Sequence, residues 1–232
     1  MIKLENLSKT FGNVRAVDNI SLEIKRGEFF CLLGPNGAGK TTTLKLITGL
    51  LKPSGGKITI GGYDINKKPI AAKRLLGYIP DIPFLYDKLT PREFLSFIKD
   101  LYEADNSGDE LLSLFEMSDY KDTLIEEFSH GMKQRICFCA MLLHNPSYIV
   151  IDEPMVGLDP KSIHLVKKIL KERTKMGAAV ILSTHQLSLA EELSDRVSII
   201  HKGKIIIEGS PLSLKDLQNK ESLEEAFLEI TK

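Results

Sequence analysis

"FFCLLGPNGAGKTTTLKLI", Phe29 to Ile47, runs from five apolar residues through a glycine-rich turn into a segment with helical spacing. A short apolar run bounded by turn residues is the pattern of a strand buried on both faces. Its centre, "GPNGAGKTT" from Gly34 to Thr42, has the spacing Gly-x4-Gly-Lys-Thr between strand and helix, the P-loop pattern in its proper context. Glycines let backbone N–H groups converge on phosphate oxygens, and the helix N-terminus adds positive potential. Gly34, Pro35, Asn36, Gly37, Ala38, Gly39 and Thr42 are therefore expected to cradle phosphates. Lys40 is expected to reach the β- and γ-phosphates, and Thr41 to offer its hydroxyl to Mg²⁺.

Further along, "YIVIDEP", Tyr148 to Pro154, is a buried strand ending in two carboxylates. In a parallel α/β sheet such residues emerge at the carboxyl edge, beside the P-loop. Asp152 is the expected Mg²⁺ partner, and Glu153 the expected general base toward an attacking water. A helix cap is the other use of such a pair.

Around these motifs the chain divides by periodicity. Upstream, "IKLENL" and "VRAVDNISLEI" alternate like short strands, with turns at Phe11-Gly12-Asn13 and Lys25-Arg26-Gly27. "GKITIGGYDI" reads as a hairpin and "LLGYIP" as a strand. From Thr90, "TPREFLSFIKDLYE" has a capping residue, a proline at the first helical position and helical spacing. Further helices are expected near Asp109–Phe115 and from Gly131 to Leu143. After Pro146, strand and helix alternate again, through "AAVILSTH" and "QLSLAEELSD" to a hairpin at Lys202-Gly203, and "ESLEEAFLEITK" suits a terminal helix. The expected class is α/β: a P-loop NTPase core with a parallel sheet flanked by helices, an N-terminal antiparallel β subdomain and an inserted all-helical lobe. The expected division is one domain over 1–232, with a core of 1–82 and 142–232 and a helical subdomain of roughly 83–141.

Composition excludes several other classes. Thirty-one basic residues balance 31 acidic ones, so no nucleic-acid footprint is expected. The start lacks the charged end and apolar block of a signal peptide. The longest apolar stretch, Ile136 to Leu143, is far short of the ~20 residues a membrane span needs. Cys31, Cys137 and Cys139 lack metal-ligand spacing and are expected as small core residues in a reducing cytosol; a metal site with His144 is the alternative.

One motif is left over. "FSHGMKQRI", Phe128 to Ile136, reads as a helix start whose open N–H groups could seat an anion, in a chain that already has a phosphate cradle. With it, the sequence resembles the ATP-binding subunits of bacterial ABC transporters, of the multidrug or export type, over essentially its whole length. "FSHGMKQR" resembles the family's signature motif, "VGLDP" its D-loop with Asp159, and "STHQ" its switch loop with His185. Phe11 resembles the aromatic residue that stacks on adenine. The resemblance implies an ATPase in which two ATP-binding domains close head to tail, each ATP lying between the P-loop of one and the signature of the other. Ser129 and the Gly131 N–H would then face the γ-phosphate held by a second subunit, and His185 would contact the γ-phosphate of its own site. It further implies transmembrane permease subunits as partners, a second ATP-binding subunit in a homodimer or heterodimer, and a cytoplasmic place at the inner membrane face.

Three departures from that family bear on the site. His130 and Met132 stand where the usual signature, Leu-Ser-Gly-Gly-Gln, has Gly and Gln. Asp81, in "GYIPD", stands where the family has a Gln near Mg²⁺, and is a further candidate metal neighbour. Phe84, Leu85 and Tyr86 either dock a membrane partner or pin the helical lobe to the core. A non-transport ABC ATPase and a P-loop kinase are the competing readings; the former usually carries two ATPase halves or long coiled-coil insertions, and the latter would not need Ser129, Asp159 and His185.

Overall fold

The computed structural model describes residues 1–155, 157–217 and 227. Its centre is a six-stranded sheet in the order β10-β9-β3-β8-β7-β6. The strands are β3 (Phe29–Leu33), β6 (Leu76–Ile79), β7 (Tyr148–Asp152), β8 (Ala179–Thr184), β9 (Arg196–His201) and β10 (Lys204–Gly209). All neighbours are parallel except β9 and β10, the expected terminal hairpin. Every residue of β3, β7 and β8 is buried. Their side chains alternate between two clusters: Ile149, Ile151, Val180 and Leu182 face one, Tyr148, Val150, Ala179 and Ile181 the other. Burial on both faces is why these strands are apolar throughout rather than alternating.

The second cluster is closed by a four-stranded antiparallel sheet, ordered β2-β1-β4-β5, and by helix α1 (Lys40–Ile47). Strands β1 (Ile2–Phe11) and β2 (Val14–Ile24) turn at Gly12, whose φ of +54° suits glycine. Strands β4 (Gly55–Ile60) and β5 (Tyr63–Asp64) form the expected hairpin. A one-turn helix, α2 (Pro69–Lys73), follows; five residues are too few for periodicity to reveal, and sequence reading missed it.

Between β6 and β7 the described elements are all helical: α3 (Pro91–Tyr102), α4 (Asp109–Leu114), two short 3₁₀ turns and α5 (His130–Leu143). Thr90 caps α3 in a reciprocal box with Glu93, satisfying two otherwise orphaned N–H groups. These helices pack on the first cluster with α6 (Pro160–Lys175) and α7 (Leu187–Leu193). Helix α8 (Pro211–Leu217) lies beyond β10, and the expected terminal helix falls outside the described residues apart from Phe227. The three cysteines are buried and free, and burial pushes the Cys137 thiol up to about 12. Among the described residues no group of three or more His, Cys, Asp or Glu side chains is placed to hold a metal, which leaves the His144 alternative without support.

Candidate active site

Parallel strands end on one side of the sheet, and that fact assembles the site. In register, Leu33 of β3 lies opposite Thr184 of β8, Asp152 of β7 opposite Ser183, and Ile79 of β6 opposite Ile151. Strand β8 thus stands between the strand that leads into Gly34–Thr42 and the strand that ends in Asp152-Glu153. Two further bonds extend the ladder past the strand ends: the Gly34 N–H to the Thr184 carbonyl at 3.3 Å and the Glu153 N–H to the Ser183 carbonyl at 3.1 Å.

The loop is shaped by its glycines. Gly39, with φ +108°, ends it at the start of α1, and a Cβ there would overlap the Ala16 carbonyl oxygen. A Cβ on Gly34 would collide with Ile200, at 2.9 Å from Cγ2. Gly37, with φ +77°, has open space beside it and forms the mouth. Lys40 folds back into the loop, its Nζ donating to the carbonyls of Gly34 at 2.8 Å and Pro35 at 3.2 Å. Burial lowers its pKa, an effect that the carboxylates of Glu153 and Asp152 oppose. A cavity of about 240 Å³ opens over the loop, lined by Ala16, Asn36–Thr42, Asp81 and Glu153.

Glu153 sits at the centre of the remaining contacts. Its Oε1 lies 2.9 Å from His185 Nδ1 and 3.7 Å from Lys40 Nζ, while its Oε2 accepts the Thr184 hydroxyl at 3.3 Å. Its backbone is left-handed, with φ +48°, a conformation costing a non-glycine residue on the order of 1–2 kcal/mol. Strain of this kind turns the carboxylate off the strand line toward the cavity. Asp152 is fully buried and its Oδ1 accepts the Ser183 hydroxyl, whereas its Oδ2 is buried without a partner. Burial raises its pKa against the Ser183 hydrogen bond and the nearby Thr41 hydroxyl, and Asp81 and Glu153 add to the rise through their charge. A buried, unsatisfied carboxylate oxygen beside a threonine hydroxyl is the donor set a hard cation prefers.

The other sequence candidates lie apart from this cavity. Ser129 caps α5, its Oγ accepting the Met132 N–H at 3.3 Å. Asp159 caps α6, bonding the Ser162 N–H at 3.0 Å and hydroxyl at 2.7 Å, and pairs with Arg135. The Ser162 and Arg135 bonds hold its carboxyl well below the usual range. Gly131 has no room for a side chain, since a Cβ would stand 2.6 Å from the Gly157 carbonyl. None of these three lines the cavity, and neither does Phe11, half exposed at the end of β1 with Lys9 Nζ 5.0 Å from its ring centre. Sequence reading missed Ser183 and Thr184, which orient the two carboxylates. The available signal was two adjacent hydroxyl residues closing an otherwise apolar strand.

Residues 17–156 match the ABC transporter family. The chain belongs to the ABC transporter family. It is an ATP-binding, ATP-hydrolysing member. The linearmycin resistance ATP-binding protein LnrL of Bacillus subtilis is 39% identical over 219 residues, covering 92% of this chain and 70% of LnrL. A solved ATP-binding subunit of an ABC transporter superposes with a TM-score of 0.94 at 33% identity, over 100% of both chains. A dimeric ATP-binding cassette in a post-hydrolysis state with ADP and Pi superposes with a TM-score of 0.83 at 28% identity, over 90% of this chain and 98% of that one. The ABC fold accounts for the two sheets and the strand order above. Among the described residues no helix is long and apolar enough to cross a membrane.

Proposed function

We propose that this chain is the motor of a transporter, closing head to tail with a second ATP-binding subunit so that each ATP is held by one P-loop and covered by the other subunit's signature. The observation that carries the reading is Glu153, turned by its positive φ into the mouth of the P-loop cavity and held by His185, Thr184 and Lys40. A carboxylate so placed accepts the proton of a water attacking the γ-phosphate, while His185 orients the pair. Gly34 to Thr42 bind the phosphates through backbone N–H groups and Lys40. Phe11 stacks on the adenine.

Mg²⁺ fits the residues present: Asp152 Oδ2 and the Thr41 hydroxyl would hold it, with Asp81 beside them. That ion, when bound, neutralises charge on the phosphate oxygens. Ser129 and the Gly131 N–H are the lid, at the N-terminus of α5, and Asp159 belongs to the same face. A spare anion site in each subunit is then half of a shared one.

In the proposed division, core residues 1–82 and 142–232 hold the nucleotide and the helical segment 83–141 carries the lid. Between them a cavity of about 270 Å³ is lined by Tyr78, Phe84, Leu85, Phe94, Tyr102 and His144, among others. Phe84 is 89% exposed there, whereas Leu85 packs on the core and Tyr86 stacks edge-on to Phe97 at 5.7 Å. In this reading Tyr86 and Leu85 pin the segment, and Phe84 is left to meet a short helix of a transmembrane permease. The chain would then work at the inner face of the membrane, attached through that partner. Export is the proposed direction, in keeping with the resistance role named for the Bacillus subtilis relative.

Complementation tests the shared site. Lys40→Ala disables a pocket and Ser129→Phe disables a lid, so each variant alone is expected to be inactive. Mixed, they form one intact site, and ATPase activity is expected to return. A mixture no more active than its separate components refutes pairing of this chain with itself.

A further inference from the structure

The half-site that a subunit lends to its partner and the half-site that it keeps are joined by the short segment from Glu153 to Asp159. That segment is fixed at one end by the Glu153 N–H bond to Ser183 and at the other by the Asp159 cap of α6. Its residues Pro154, Gly157 and Asp159 meet the first turns of α5. Gly157, with φ +79°, has its carbonyl against Gly131 and its Cα under the His130 ring, so that a Cβ on either glycine would strike the other chain segment. One and a half turns along α5, Arg135 pairs with Asp159, and between them the buried Gln134 reaches the Pro154 carbonyl at 3.5 Å.

We infer that His130 and Arg135 are positioning residues which clamp the signature helix to this segment, so that seating Ser129 on one nucleotide sets the place of Glu153 at the other. His130 is the telling position. The ABC pattern has glycine there, and in this chain the imidazole fills the space over Gly157 that a glycine would leave open. Arg135 supplies the second point of attachment, at a carboxylate that also fixes the start of α6. These contacts lie at the surface with only Gln134 buried among them, so the clamp acts by direct contact: the Gly157 backbone meets the His130 ring and the Arg135–Asp159 pair ties the helix. Two points on one helix stop it from rotating about either. The clamp rests on the paired-site reading proposed above and adds the path between the two sites.

The test uses the full chain with His130→Gly, Arg135→Gln and Arg135→Lys. ATP affinity is read from binding of a fluorescent ATP analogue, and turnover from phosphate release across ATP and protein concentrations. ATP affinity is expected within twofold of the parent in all three, because the P-loop is untouched. kcat is expected to fall about tenfold in Arg135→Gln and about threefold in His130→Gly, with Arg135→Lys recovering part of the loss, and the rise of rate with ATP is expected to lose its steepness. Turnover within twofold of the parent in both His130→Gly and Arg135→Gln overturns the clamp. So does a fall in affinity matching the fall in kcat, which marks general loss of fold. A parent rate strictly proportional to protein concentration sinks the paired-site reading instead, and this proposal with it.

Discussion

Glu153→Gln removes one negative charge from the site at almost constant volume, and the surroundings of that charge set the size of the effect. In the proposed role the lost group is the proton acceptor. General base catalysis contributes typically 10²–10⁴-fold, which at 1.36 kcal/mol per tenfold is about 3–5 kcal/mol of barrier. The amide retains an oxygen for the Thr184 hydroxyl at 3.3 Å, so the side chain stays in place. Lys40 loses an attraction across 3.7 Å, worth about 4 kcal/mol at an effective dielectric of 20 before solvation is counted. Solvation offsets most of that, and the net release of the ammonium toward phosphate is on the order of 1 kcal/mol, a several-fold gain in ATP affinity. The expected variant therefore binds ATP at least as tightly as the parent, hydrolyses it 10²–10⁴-fold more slowly, and accumulates as an ATP-bound pair. Phosphate release gives kcat, a fluorescent ATP analogue gives affinity, and light scattering gives the mass with ATP and Mg²⁺. Phosphate release within threefold of the parent would refute Glu153 as the base.

Asp152→Asn removes a buried charge with one unpartnered oxygen, so the protein without nucleotide is expected to be more stable than the parent by about 1–3 kcal/mol at neutral pH. Because burial raises the Asp152 pKa in the folded state, its penalty is full above that raised value and vanishes below the unfolded carboxylate range. Thermal unfolding from pH 8 to pH 4 should show the variant's advantage shrinking as pH falls, and a constant difference would contradict the assignment. Asp81→Asn is expected to shift the Mg²⁺ concentration needed for half-maximal hydrolysis, since Asp81 lines the P-loop cavity with Glu153; an unaltered Mg²⁺ titration would place Asp81 outside the metal's surroundings. Gly39→Ala forces a side chain into φ +108° and onto the Ala16 carbonyl, a cost of about 2–5 kcal/mol from backbone strain and overpacking. Its melting temperature should fall by several degrees, and ATP binding should be lost with it; an unchanged melting curve would mean that the loop does not hold this shape.

The local features were legible because their causes are local. The phosphate cradle proposed for Gly34 to Thr42 is a turn and a helix start contained in nine residues, and an apolar run such as "YIVI", closed by Asp152, reads as a strand buried on both faces. Thr90 and Pro91 specify a helix start by capping chemistry alone. Asp152 and Glu153 could be named from their place at a strand end, before any strand had a neighbour, whereas His185 was named only by its resemblance to the family's switch loop.

Which strands are neighbours is decided by distant residues, and there sequence reading stopped. Only the order β3-β8-β7 brings the Thr184 hydroxyl and the His185 ring onto Glu153, from residues more than thirty positions away in the chain. The same holds for His130, whose ring lies over Gly157, a contact that its departure from the family pattern does not reveal, and for Asp159, tied to Arg135 and the start of α6. Sequence by itself determined the local form of each proposed half-site, a glycine turn before a helix and a capped helix start, since a few adjacent residues suffice to specify it. Tertiary structure alone decided what each half-site touches, because packing across the sheet and between α5 and the segment after Glu153 depends on strand register and side-chain volume that no short stretch contains.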